Sequence, residues 1–145
     1  METKIDKLIS LSMQISKFVT HQTNITFEER AATVLQFHTL SFLEKTPQAK
    51  LGEVAKHLNA SLSSTTQLLE RMHKSGFISR IGDTTDRRVI HHVLTQEGKQ
   101  KLVHMREAKR NRMKKLLAKI DSHDVGELIR IQEKILKSLA DQQNI

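Results

Sequence analysis

The spacing of apolar residues changes period once along this chain and then changes back. From Ile5 to Met72 apolar positions fall three and four residues apart. Phe77–Ile81 and Val89–Leu94 are instead short runs rich in β-branched residues, and beyond Thr95 the three-and-four spacing returns. The first pattern lines one face of a helix; the second suits strands, here separated by the polar stretch Gly82-Asp83-Thr84-Thr85-Asp86-Arg87-Arg88. The chain is therefore expected to be mainly α with a single β-hairpin set among helices. One proline and five glycines in 145 residues leave little to interrupt those helices.

Individual boundaries follow from capping chemistry. Residues 3–22 read as an amphipathic helix through Ile5, Leu8, Ile9, Ile15, Phe18 and Val19. Thr26-Phe27-Glu28-Glu29 is a capping box, which opens a second helix with Phe27, Ala31, Val34, Leu35, His38 and Phe42 expected inward. That helix should stop near Thr46-Pro47. A short helix over 50–58, a turn at Asn59-Ala60-Ser61 and a helix over 62–74 capped by Ser61 follow, with Leu68, Leu69 and Met72 expected to be buried. Gly76 stands where a left-handed residue ends the helix. After the hairpin, Thr95 caps a long helix through about Ile120. A linker at 121–124 leads to a last helix using Val125, Leu128, Ile129, Ile135, Leu136 and Leu139.

Composition excludes several classes. With no cysteine there is no disulfide framework, no thiolate metal site and no thiol redox sensor. No stretch approaches ~20 consecutive apolar residues, and the first residues lack the apolar core of a signal peptide, so a cytoplasmic protein is expected. A Gly-rich phosphate loop and a Gly-x-Ser-x-Gly elbow are both missing, so an enzyme is not expected and no cofactor is implied. Eight histidines raise a metal site. His91 and His92 are adjacent in a strand and point to opposite faces, and no helix carries a His-x-x-x-His pair, so no metal is expected. Net charge is +8, and all of that excess lies between Lys99 and Lys119. A basic stretch suits a polyanion partner and equally a solvated helix face.

A helix-turn-helix followed by a hairpin is a winged helix. A major groove ~12 Å wide accepts one helix. The helix over 62–74 opens with short polar side chains able to meet base edges and phosphates: Ser61, Ser63, Ser64, Thr66 and Gln67, with Arg71 one turn on. Ser61 and Ser64 also read simply as caps.

At these residues the chain resembles the MarR (multiple antibiotic resistance regulator) family of winged-helix regulators. Asp86-x-Arg88, then Leu94-Thr95-x-x-Gly98 at the family's distance, matches its wing motif. Leu51-x-x-Val54-Ala55-x-x-Leu58 and Leu68-x-x-Arg71-Met72-x-x-x-Gly76-Phe77-Ile78 look like its two motif helices and first wing strand. The motifs span 50–98; the flanking helices agree in number and length. The resemblance implies that the wing, Thr85, Asp86, Arg87 and Arg88, enters the minor groove. Arg88 would be inserted, Asp86 would orient it and Arg87 would lie near the backbone. A turn-stabilising pair is the other reading of Asp86 and Arg88. Thr95 and Gly98 read as structural, a cap and a site of close packing. Thr65, Gln67 and Asn59 depart from the family, whose usual residues there are apolar, basic and glycine, and this leaves the operator sequence open.

One MarR-like domain over 1–145 is expected, with a reading head at 27–98 and with 1–24 and 99–145 as dimerisation and connecting helices. The terminal helices carry Ile/Leu stripes that need a partner, and a homodimer covers both; packing of one terminal helix on the other within the chain is the alternative. The expected function is a sequence-specific DNA-binding transcriptional regulator on a pseudo-palindromic operator, a repressor relieved by a small anionic or phenolic effector drawn by Lys109 or Arg112. A winged-helix protein-interaction module without specific DNA binding is the alternative.

Overall fold

A computed structural model of the chain describes residues 3–21 and 26–143, with side chains described for all of these except residues 18–21, 27 and 143. Among the described residues there are six helices and three strands. In chain order they are α1 (Lys4–His21), α2 (Phe27–Lys45), β1 (Ala49–Lys50), α3 (Leu51–Leu58), α4 (Leu62–Lys74), β2 (Ile78–Gly82), β3 (Ile90–Leu94), α5 (Gln96–Leu117) and α6 (Ser122–Gln143). The chain divides into two compact units, one up to Arg106 and one from Glu107 onward.

Helix starts lie where the capping chemistry places them. Thr26 accepts from the Glu29 amide at 3.2 Å while Glu29 accepts from the Thr26 amide at 2.7 Å. The Ser61 hydroxyl accepts from the Ser64 amide at 3.1 Å, and Asp121 accepts from the Asp124 amide at 2.9 Å to open α6. Asn59 closes α3 in the left-handed region at φ 50°, which asparagine tolerates better than most side chains, so the missing glycine of the family's turn is replaced without a break. Gly76 has φ +75° at the end of α4.

The sheet is antiparallel in the order β1-β3-β2. Ile78 pairs with Leu94 and Gly82 with Ile90 across the hairpin, while Ala49 pairs with His92 and Lys50 with His91 on the other side of β3. β1 is absent from the sequence reading, which starts the short helix at residue 50. Two residues carry no periodicity, and Ala49 and Lys50 become a strand only because β3 lies beside them. α5 also ends at Leu117, short of Ile120.

The buried core belongs to the first unit: Leu40 and Leu43 of α2, Ala49 of β1, Val54 of α3, Leu68, Leu69 and Met72 of α4, Ile78 of β2 and Leu102 of α5. Thr65, where the family resemblance leads one to expect an apolar residue, is buried too. Its hydroxyl donates to the Ser61 carbonyl at 2.8 Å, so no donor is left unpaired. α2 corrects the sequence reading. Ala31, Val34, Leu35 and His38 are exposed, and the buried face is Thr39, Leu40 and Leu43. Spacing marks the apolar face of a helix but says nothing of how far along it a covering layer extends. Phe18, Val19 and Phe27, also expected inward, have side chains outside the described set.

Thr95 and Gly98 join α4's end to α5. The Thr95 hydroxyl donates to the Gly76 carbonyl at 2.6 Å and accepts from the Gly98 amide at 3.0 Å. A Cβ on Gly98 would stand 2.0 Å from the Phe77 carbonyl oxygen, so the close approach requires glycine. On α1 every described side chain from Lys4 to Lys17 is exposed, and so is most of α6. Among the described residues no helix is long and apolar enough to cross a membrane.

Candidate nucleic-acid interface

α4 turns Thr65, Leu68, Leu69 and Met72 into the core, which points Ser63, Gln67 and Arg71 outward. Among the described residues these three make no intramolecular side-chain hydrogen bond or ion pair. Ser61 and Ser64 do: the Ser61 hydroxyl donates to the Ser64 hydroxyl at 2.9 Å besides accepting from its amide. The capping role is therefore occupied, and it leaves the Ser64 proton free to reach outward. Thr66 donates to the Leu62 carbonyl at 2.8 Å and sits on the flank of α4 nearest the wing.

The wing tip between β2 and β3 is built on two carboxylates. Asp83 Oδ1 accepts from the Thr85 amide at 2.8 Å, the Thr85 hydroxyl at 2.6 Å and the Asp86 amide at 3.1 Å. Asp83 Oδ2 meets His91 Nε2 at 2.8 Å. These contacts, first the Thr85 hydroxyl and then His91, hold the Asp83 carboxyl far below the usual carboxylate range. Asp86 accepts from the Arg88 amide at 3.0 Å and lies 3.9 Å from Arg88 Nε. The turn-stabilising reading of Asp86 is thus present as a backbone contact, and the same carboxylate sits beside the arginine head. The Arg88 side chain is 95% exposed. Arg87 is exposed as well.

Between α4 and the wing lies a cleft of about 410 Å³. Lys50, Arg80, Arg88, Thr66 and His92 line it, with no acidic residue on its walls. Glu70 stands 4.0 Å from Arg80 at its margin. Burial, with the fields of Arg80, His73 and His91, pushes the His92 ring toward its neutral form. The structure thus gathers Thr66 and Arg88, from the two predicted binding elements, around one cationic hollow. It keeps Ser63, Gln67 and Arg71 on the outer face of α4. The sequence reading missed Asp83, His91 and Arg80. The only signal for Asp83 was an Asp-x-Thr sequence at the start of a tip, and none existed for the partnership with His91. Among the described residues no cluster of three His, Asp or Glu side chains converges on a metal-sized site.

A model of the MarR family matches residues 32–90. Among curated proteins, the HTH-type transcriptional repressor MdtR of Bacillus subtilis is 34% identical over 71 residues, 49% of this chain and 46% of that protein. The repressor YetL of the same organism is 34% identical over 90 residues, 61% of this chain and 54% of that protein. The chain spans about half the length of the curated relatives it matches. Among solved structures, YusO of Bacillus subtilis superposes with a TM-score of 0.77 at 25% identity, covering 93% of this chain and 99% of that one. Streptococcus pneumoniae FabT, solved in complex with DNA, shares the fold at TM-score 0.65 and 18% identity, covering 96% and 99%. With the wing motif of Asp86, Arg88, Leu94, Thr95 and Gly98 set in this fold, residues 32–90 match the MarR family, and over about half its length the chain is similar to HTH-type transcriptional repressors.

Proposed function

We propose that this protein is a sequence-specific DNA-binding transcriptional regulator, working in the cytoplasm as a homodimeric repressor. The observation that carries the reading is the cationic cleft between α4 and the wing. It puts Lys50, Arg80 and Arg88 beside a helix whose outer face offers Ser63, Gln67 and Arg71. A phosphate backbone supplies the charge such a hollow lacks, and α4 supplies groups for base edges. In this reading α4 enters the major groove and Arg88 the minor groove, where narrow tracts concentrate negative potential. Ser61, Ser64, Thr66, Thr85, Asp86 and Arg87 flank those contacts.

The bare Ile/Leu stripes of α1 and α6 support a dimer, and two-fold symmetry then asks for a pseudo-palindromic operator with half-sites about one helical turn apart. Relief by a small anionic or phenolic effector is the regulation that the family resemblance suggests. A panel of phenolic acids that fails to release bound operator would remove it.

The test is anisotropy at several salt concentrations with a duplex selected by the protein from a random-sequence pool. Arg88→Ala should weaken binding strongly. It should also reduce the slope of log K against log salt by roughly two per dimer, at about 0.9 per lost contact. Gln67→Ala should change preference at one major-groove position and leave the slope nearly unchanged. Asp86→Ala should resemble a milder Arg88→Ala. If folded Arg88→Ala binds as tightly as the parent with the same slope, the wing does not read DNA. If no duplex is selected at all, the protein-interaction module takes its place.

A further inference from the structure

One imidazole joins the wing tip to the turn ahead of α3. His91 Nδ1 lies 2.6 Å from the backbone oxygen of Gln48, and His91 Nε2 lies 2.8 Å from Asp83 Oδ2. The ring is largely enclosed, with 14% of its side-chain surface exposed. Both partners only accept: one is a carbonyl, the other a carboxylate that its own hydrogen bonds hold ionised. A neutral imidazole has one N–H and one lone pair. It would satisfy one oxygen and turn a lone pair on the other at contact distance. Only the imidazolium donates to both. Gln48 presents its carbonyl from the left-handed region, at φ 62°, a conformation uncommon for a side-chain-bearing residue and in need of support from its surroundings.

We infer that His91 is a positioning residue for the wing: its doubly protonated ring clasps the wing tip to the turn ahead of α3, so that the pose of Arg88 depends on one proton. This rests on the DNA reading proposed above.

The groups around the ring are few. Asp83, from the tip, favours the cation. Lys50, opposite His91 in the β1 register, opposes it. Ile81 stands opposite on β2 and carries no charge. His92, next along β3, is kept toward neutrality by burial. The Asp83 carboxylate, then the Gln48 carbonyl, raise the His91 pKa above the ordinary 6.5. A raised value fixes the sign: the clasp is fully present below about 6.5 and is lost as pH rises through the raised value.

Ring nitrogen NMR of the full-length protein without DNA reads the clasp directly. Below pH 6.5 both His91 nitrogens should carry protons, the ring should titrate above 6.5, and the Gln48, Thr85 and Asp86 amides should shift with the same midpoint. Asp83→Asn should return that midpoint toward the ordinary value. Anisotropy from pH 6 to 9 at fixed ionic strength, on the selected duplex, adds the functional arm. Wild-type affinity should fall above the midpoint by up to about tenfold per pH unit for each clasp that must stay protonated. His91→Gln should bind more weakly at low pH and show no such fall. A ring that titrates at or below 6.5, or parallel pH profiles for wild type and His91→Gln, overturns the inference. A ring that titrates as stated in a protein that binds no duplex sustains the clasp and overturns the DNA reading instead.

Discussion

α4 and α6 have the same kind of amphipathic pattern and opposite fates. The stripe of α4, Thr65, Leu68, Leu69 and Met72, is at most 5% exposed. The stripe of α6, Leu128, Ile129, Ile135, Leu136 and Leu139, is 40 to 66% exposed. Periodicity therefore identifies which face of a helix is to be covered, while the source of the cover lies elsewhere. α4 finds it in α2, α3 and the sheet. α6, with five large aliphatic side chains open to water, has the composition of an interface core rather than of a solvated surface.

The largest expected effect breaks the comparison at α6. Deleting residues 124–145 should give monomeric or aggregated protein by light scattering, because the stripe proposed to meet a second copy is gone. A well-behaved truncated dimer would show that α6 is not the dimer surface.

The next contrast sets equal chemistry on the two helices. Met72→Ala empties a fully buried site and should cost about 2–5 kcal/mol in urea unfolding, by the same amount at every protein concentration. Leu136→Ala should instead act through dimer dissociation, so that its effect shrinks as the protein is concentrated. Concentration-independent losses for both would mean that α6 is covered from within its own chain.

The smallest effect sharpens what holds the head outside its core. Arg106 grips Glu44 through both guanidinium nitrogens, at 3.1 and 2.6 Å, joining α5 to α2. With the two side chains 43% and 41% exposed, a double-mutant cycle with Glu44→Gln and Arg106→Gln should return roughly 0.2–1 kcal/mol, fading at high salt. A coupling several times larger would mean that this pair, not the apolar core, fixes α5 on the head.

The parts of the molecule legible in the sequence are those written in neighbouring residues. Thr26 with Glu29, Ser61 with Ser64, and Thr95 with Gly98 are contacts three residues apart, and each lies where capping chemistry puts it. The wing's existence was legible for the same reason, as a local change of period. Features that depend on distant residues were not. β1 is a strand only by virtue of β3, and the His91–Gln48 contact joins residues 43 positions apart. Val34 and Leu35 continue a legible stripe beyond the point where the head's core ends. At the site, the outward set on α4 could be read from its helical phase. The cleft could not, because Lys50 and Arg80 reach it from β1 and β2, and nothing in their local sequence points there.

The wing tip has one further consequence. Asp83 and Asp86 satisfy the amides of Thr85, Asp86 and Arg88 before any partner is present, so the loop has a settled shape in the free protein. A flexible loop would lose conformational entropy on docking, and its ordering would add to the heat-capacity change of association. A tip already folded around its own carboxylates docks as a rigid body. Calorimetry of complex formation would then register surface removed from water and ions released, with no contribution from folding of the wing.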